Sequence, residues 1–249
     1  MKCIIIAAGY ATRLYPLTEN FPKPLLKVKG KPIIDWLIDD VNELNIIDEF
    51  VVVTNHKFYQ LFLDWSKTKQ QKITIVDDLT ESNETRLGAV RDIEFAIEKL
   101  NINDDLLVMA GDNLLDFSLC NFVEYGLNKK ANCVMAHEEN DVSKLQRTGV
   151  LEIDESNRII NMEEKPRIPK SNLACPPFYF FVKENVPYIK DSLTSGCKND
   201  APGDFLSWLV KKTKVYAYKM PGKRYDIGNL ESYNFIKENY RGIKKETSF

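Results

Sequence analysis

Apolar residues along this chain fall into short continuous runs and helically spaced stripes, and the two alternate. Aliphatic runs at residues 4–7, 50–54, 73–76 and 106–110 are too short for helices and predict buried strands. Between them Ile33, Ile34, Leu37, Ile38, Val41 and Leu44 keep helical spacing behind Pro32, a residue suited to a first turn. Val90, Ile93, Phe95, Ile97 and Leu100 mark a second helix within residues 88–100. This alternation predicts an α/β fold: a mostly parallel, Rossmann-like central sheet with helices on both faces. Sites in such sheets lie at the carboxyl ends of strands. The loop after Ala7 and the Gly111-Asp112 pair after Ala110 both fall there.

The pattern loosens after about residue 140. Strand-like pieces at 149–153, 158–162 and 178–182 are broken by Asn, Pro and charged turns, which predicts a β-rich lobe covering one side of the sheet. A helix at 203–211, a strand at 215–220 and a helix at 230–240 follow, and residues 244–249 read as a frayed tail. One domain over 1–243 is expected.

Composition narrows the chemistry. At 249 residues, 44% hydrophobic and 28% charged, the chain has ample material for a core. A net charge of −2 gives no global attraction to nucleic acid or an acidic membrane, so neither is expected as a partner. No apolar run approaches the ~18 residues of a membrane span, and Lys2 precedes only a short apolar stretch, unlike a signal peptide. Five scattered cysteines, an odd number, point to reduced thiols in the cytoplasm. Two histidines, His56 and His137, leave little for His-based nucleophilic catalysis or His-rich zinc sites.

The first strand runs into Ala7-Ala8-Gly9-Tyr10-Ala11-Thr12-Arg13-Leu14-Tyr15-Pro16, and Pro22-Lys23-Pro24-Leu25-Leu26 follows. Small residues after a strand let peptide N–H groups approach phosphate oxygens, and Arg13 and Lys23 bring positive charge. Neither a P-loop nor a G-x-G-x-x-G pattern is present. Asp112, just beyond a buried strand, is placed to hold a hard cation. Strand alternation would put Glu163 and Lys165 on one face.

As a set, these segments resemble the nucleotide-sugar pyrophosphorylases (sugar-1-phosphate nucleotidylyltransferases), whose opening pattern is G-x-G-T-R-L-x-P-x-T and then P-K. Ala11 stands at the second glycine. The resemblance implies that Ala7, Ala8, Gly9, Tyr10, Ala11 and Thr12 wrap a nucleoside triphosphate. Arg13 would steady the departing pyrophosphate and Lys23 would reach toward the α-phosphate. Glu81, Leu87 and Gly88 match the stretch that reads the base. Asp112 and Asp226 (in Arg224-Tyr225-Asp226-Ile227-Gly228, similar to the family's W-x-D-x-G) would hold Mg2+. Gly149, Glu163 and Lys165, the last two in an E-E-K-P similar to the family's, would bind a phosphorylated acceptor.

The implied reaction joins an NTP and a sugar 1-phosphate into an NDP-sugar and pyrophosphate. Residues 1–140 would form the nucleotide half, 141–223 the acceptor lobe and 224–243 the second metal motif with a final helix. A long C-terminal β-helix is not expected, and a homo-oligomer is compatible with the reading. Two rivals remain: a CTP-dependent cytidylyltransferase acting on phosphocholine or another non-sugar phosphate, and a non-catalytic nucleotide-sensing subunit. Arg224 at the family's Trp and Pro176-Pro177 at its usual Thr-Gly are this chain's own departures.

Overall fold

The computed structural model describes residues 1–198 and 200–244, so the expected tail lies outside the described residues apart from Lys244. The chain forms β1 (Lys2–Ile6), β2 (Lys27–Val28), β3 (Lys31–Pro32), α1 (Ile33–Asn42), β4 (Glu49–Thr54), α2 (Tyr59–Ser66) and β5 (Ile73–Asp77). Next come α3 (Ala89–Leu100), β6 (Leu106–Ala110), β7 (Asn113–Leu115), α4 (Cys120–Lys129), β8 (Asn132–Glu138), α5 (Val142–Leu145) and β9 (Gly149–Ile153). They are followed by β10 (Ile159–Glu164), β11 (Leu173–Cys175), β12 (Phe178–Phe181), α6 (Tyr188–Thr194) and α7 (Pro202–Leu209). The last elements are β13 (Val215–Lys219), β14 (Arg224–Asp226) and α8 (Leu230–Asn239). None of the described helices is long and apolar enough to cross a membrane.

Contacts divide the chain into two units. The first comprises Met1–Arg86, Ala110–Asn121 and the chain from Pro221 on; the second, Leu87–Met109 and Phe122–Met220. In the first unit β1 pairs parallel with β4, and β4 with β5. The apolar stripe of α1 is buried at Ile33, Ile34, Leu37, Ile38 and Val41. A second cluster joins Leu14 of the opening loop, Ile33, Leu114 of β7, Ile227, and Tyr233, Ile236 and Tyr240 at the end of the chain. This cluster ties the segments that carry Arg13, Asp112 and Asp226 into one packed body, and burying each large side chain there contributes ~1.5–3 kcal/mol.

In the second unit β12 pairs antiparallel with both β6 and β8, and β13 pairs parallel with β8. Strands β9 and β10 are antiparallel, and β11 pairs antiparallel with β9 and β8. The expectation of a mostly parallel sheet is therefore corrected: the strands are mixed in direction. Phe178–Phe181 is buried throughout, as a parallel strand would be, so burial alone carried no sign of its direction. The β-rich stretch of residues 149–175 is joined to this ladder, since β11 pairs with β8 itself.

Between β11 and β12 the chain makes a bulge. Ala174 stands opposite His137 and Tyr179 opposite Val134, so this side advances further than β8 does. Pro176-Pro177 occupies the extra length, and with no N–H to give, neither proline can donate to a ladder. Upstream of the bulge the partner is β9; downstream it is β6.

Candidate active site

The opening loop is clasped at several points. Asn55 at the end of β4 donates from Nδ2 to the Ala8 carbonyl at 2.9 Å and accepts the Phe58 N–H at 3.1 Å. The Tyr10 hydroxyl donates to the Thr80 carbonyl at 3.0 Å, and Thr18 donates to the Ala11 carbonyl at 2.8 Å. Ala11 is left-handed, φ 47° and ψ 42°, and the next residues turn in a short 3-10 helix that buries Leu14. These contacts hold open a cavity of about 250 Å³ whose wall includes Gly9, Ala11, Arg13, Lys23, Asp112 and Gly228. Ala7 also lines it, whereas the Tyr10 side chain is buried against Thr80 and Thr12 is exposed.

Lys23 is held in a 3-10 turn between Pro22 and Pro24 and is buried. Its ammonium lies 2.7 Å from Asp112 Oδ2 and 4.0 Å from Asp226 Oδ1. Asp112 reaches this point because the Gly111 N–H bonds the Ile6 carbonyl at the end of β1, 3.0 Å away. Asp226 reaches it because β14 pairs antiparallel with β7, setting Asp226 opposite Asn113. Burial alone would push the Asp112 carboxyl up; the charge and hydrogen bond of Lys23, with the charge of Arg224, outweigh it and hold the carboxyl below its ordinary range.

Among the described residues no three His, Cys, Asp or Glu side chains gather around one point. Two carboxylates already sharing one cation nonetheless suit Mg2+, which is usually held by one or two carboxylates and completed by phosphate oxygens and water.

The second unit holds Gly149, Glu163 and Lys165. A cavity of about 140 Å³ beside the β11–β12 bulge is lined by Arg147, Thr148, Gly149, Glu164, Cys175 and Tyr179, among others. Glu164, not Glu163, faces it: Glu163 is exposed, while the Glu164 side chain is only 11% exposed. Lys165 lies past the end of β10 with φ 49°, which breaks the alternation that would have put it on the face of Glu163. Its N–H bonds the Thr148 carbonyl at 3.0 Å, and its ammonium is 3.7 Å from Glu164 Oε1. Burial pushes the Glu164 carboxyl up against the pull of Lys165. A Cβ on Gly149 would meet Met162 Cε at 2.5 Å and Glu164 Oε2 at 3.1 Å, so a side chain here would have to displace the ends of both.

Of the base-reading candidates, Glu81 is exposed in the first unit, and Leu87 and Gly88 begin the second. Gly88 precedes α3 at φ 94°, a conformation that favours glycine. Sequence reasoning passed over Asn55, Asn113, Glu164 and the hydrogen bond of Arg224. Asn55 carries a readable signal, an Asn directly before a helical turn at the end of a strand.

Residues 2–242 match the profile of the Nucleotidyl transferase family. The chain is 30% identical over 247 residues to a glucose-1-phosphate adenylyltransferase of Fervidobacterium nodosum, covering 92% of this chain and 59% of that one. It is 29% identical over 249 residues to a UTP–glucose-1-phosphate uridylyltransferase of Haloferax volcanii, covering 100% of this chain and 98% of that one. A crystal structure of UDP-glucose pyrophosphorylase complexed with UDP-glucose shares the fold: TM-score 0.79 at 23% identity, over 96% of this chain and 97% of the other. The chain spans about half to two thirds of the length of several curated relatives, 51%, 59% and 66% in three cases. With the profile running nearly end to end over a matching fold, the chain belongs to the Nucleotidyl transferase family.

Proposed function

We propose that this protein transfers a nucleoside monophosphate from an NTP to a sugar 1-phosphate, releasing pyrophosphate. The observation that carries the reading is the joining of Lys23, Asp112 and Asp226 at one point beside the small-residue loop. Peptide N–H groups of residues 7–12 cradle the phosphates, and Arg13 takes the charge that builds on the departing pyrophosphate. Lys23 neutralises charge at the α-phosphate, which an acceptor phosphate oxygen attacks in line. Asp112 and Asp226 are the residues that would hold Mg2+, which when bound polarises the phosphoryl oxygens and screens their charge. With little covalent work for side chains, the rate comes from positioning and electrostatics.

For the acceptor, the geometry favours Glu164 over Glu163. Its carboxylate lines the cavity at Gly149 and can accept from ring hydroxyls, while Lys165 beside it serves the acceptor phosphate. The two named relatives share glucose 1-phosphate as the acceptor in their names and differ in the base, which supports a sugar 1-phosphate more strongly than any base. The five cysteines, scattered and odd in number, accord with a cytoplasmic protein.

The test is pyrophosphate release across the common NTPs crossed with hexose 1-phosphates and phosphocholine. Turnover with a hexose 1-phosphate is expected. Reaction only of CTP with phosphocholine would transfer the assignment to a non-sugar acceptor. Inertness throughout, with nucleotide still bound, would favour a sensing subunit.

A further inference from the structure

The pairing of β7 with β14 sets Arg224 opposite Leu115 and Asp226 opposite Asn113. Side chains two residues apart on a strand share a face, so Arg224 can reach Asn113 diagonally. Its Nη1 donates to Asn113 Oδ1 at 2.7 Å. Asn113 Nδ2 in turn donates to Asp112 Oδ1 at 2.9 Å, with the Ala110 carbonyl at 3.4 Å. Asn113 is 2% exposed, so water does not choose which way its amide points. The neighbours do. A guanidinium only donates and a carboxylate only accepts, so Oδ1 must face Arg224 and Nδ2 must face Asp112. Turned the other way, the amide would set NH2 against a guanidinium and oxygen against a carboxylate. The chain of contacts ties down Oδ1 of Asp112 and leaves Oδ2 for a cation, here the ammonium of Lys23.

We infer that Arg224 is a positioning residue, holding the Asp112 carboxylate through Asn113 so that Oδ2 is presented to the metal. This rests on the reading that Asp112 and Asp226 bind Mg2+.

The sign of one measurement separates orientation from charge. Mn2+ is titrated into the nucleotide-free protein and followed by electron paramagnetic resonance. If Arg224 were only a nearby positive charge, Arg224→Met would remove repulsion and tighten Mn2+ binding. If it orients Asp112, binding weakens, by about tenfold for an outer partner of a metal ligand. Asn113→Ala should weaken it equally, and the double variant should be no worse than either single one. With both substrates, kcat should fall in Arg224→Met while the KM for nucleotide stays unchanged. Unchanged or tighter Mn2+ binding in Arg224→Met overturns the inference. So does a double variant whose loss is the product of the singles, or a raised nucleotide KM with Mn2+ affinity intact. Should Asn113→Ala fail to fold by circular dichroism, the sign in Arg224→Met decides alone. Asp112→Asn is the control: if it still binds Mn2+ as the native protein does, the metal reading itself fails and takes the inference with it. Lost binding in Asp112→Asn beside native binding in Arg224→Met overturns only the role of Arg224.

Discussion

Lys23 and Asp112 are joined by a 2.7 Å ion pair, with the lysine 8% exposed and the aspartate 37%. Asp226 stands 4.0 Å from the same ammonium. One cation thus already sits with the two carboxylates proposed to hold the metal, and Mg2+ would have to compete with it before nucleotide arrives. Mg2+ alone should therefore raise the Tm of Lys23→Met more than that of the native protein. A tenfold gain in affinity adds up to about 1.4 kcal/mol at saturating metal. Equal Tm shifts in the two proteins, read by differential scanning fluorimetry over a Mg2+ series, would rule the competition out.

Glu163 and Glu164 are adjacent in sequence and differ in where they point. Glu164→Gln keeps the shape but removes the charge that strengthens hydrogen bonds to ring hydroxyls, so the acceptor KM should rise about tenfold with little change in the nucleotide KM. Glu163→Gln, at an exposed position, should stay within about twofold on both. Gly203→Ala gives an independent check, because its Cβ would fall 1.8 Å from Glu164 Oε2 and push the carboxylate aside. It should reproduce the acceptor defect. Steady-state kinetics with each substrate varied decides, and a larger effect from Glu163→Gln would reverse the assignment.

The two glutamates also mark where sequence reading stops. Runs of aliphatic residues located β6 at Leu106–Ala110 and β9 at Gly149–Ile153, because a buried strand has few other ways to be written. Arg13 and Lys23 drew attention as cations in and after the opening loop, Asp112 as an acid just beyond a strand and Asp226 only through the family resemblance, and the fold gathers their segments into one unit. Choosing between Glu163 and Glu164 required knowing that Lys165 leaves the strand at positive φ, a local event that alternation does not encode. Strand direction was equally invisible. β8 carries Asn132, His137 and Glu138 around an apolar run and went unpredicted, yet it is the strand against which β11, β12 and β13 all pair.

Ala11 carries a strain that its own sequence position suggests. A left-handed alanine costs roughly 1–2 kcal/mol relative to the right-handed region, whereas glycine adopts it freely. Glycine loses about 0.4–1 kcal/mol through the greater freedom of the unfolded chain. Ala11→Gly should therefore leave stability unchanged or raise it slightly, against the usual loss on placing glycine. Ala11→Val should destabilise clearly, since a β-branched residue is an outlier there. Urea midpoints of the three proteins test this, and a marked loss in Ala11→Gly would show that the strain is absorbed elsewhere in the loop.

His56 and Asp77 provide a pH signature away from the cavity. Nδ1 of His56 lies 2.7 Å from Asp77 Oδ2 at the end of β5, and that hydrogen bond, then the charge of Asp77, raise the imidazole above its ordinary 6.5. A raised folded-state value means that the folded protein holds this proton more tightly than the unfolded chain does. The stabilisation is thus complete below pH 6.5 and fades as pH rises through the higher folded-state value. His56→Gln cannot titrate, so it should lose stability relative to the native protein at mildly acid pH and converge with it at alkaline pH. The difference stays small because the imidazole is 56% exposed and water screens the pair. Urea midpoints of both proteins between mildly acid and alkaline pH measure it. A gap that is constant across that range, or that widens as pH rises, would mean that Asp77 gains nothing from the charge on His56.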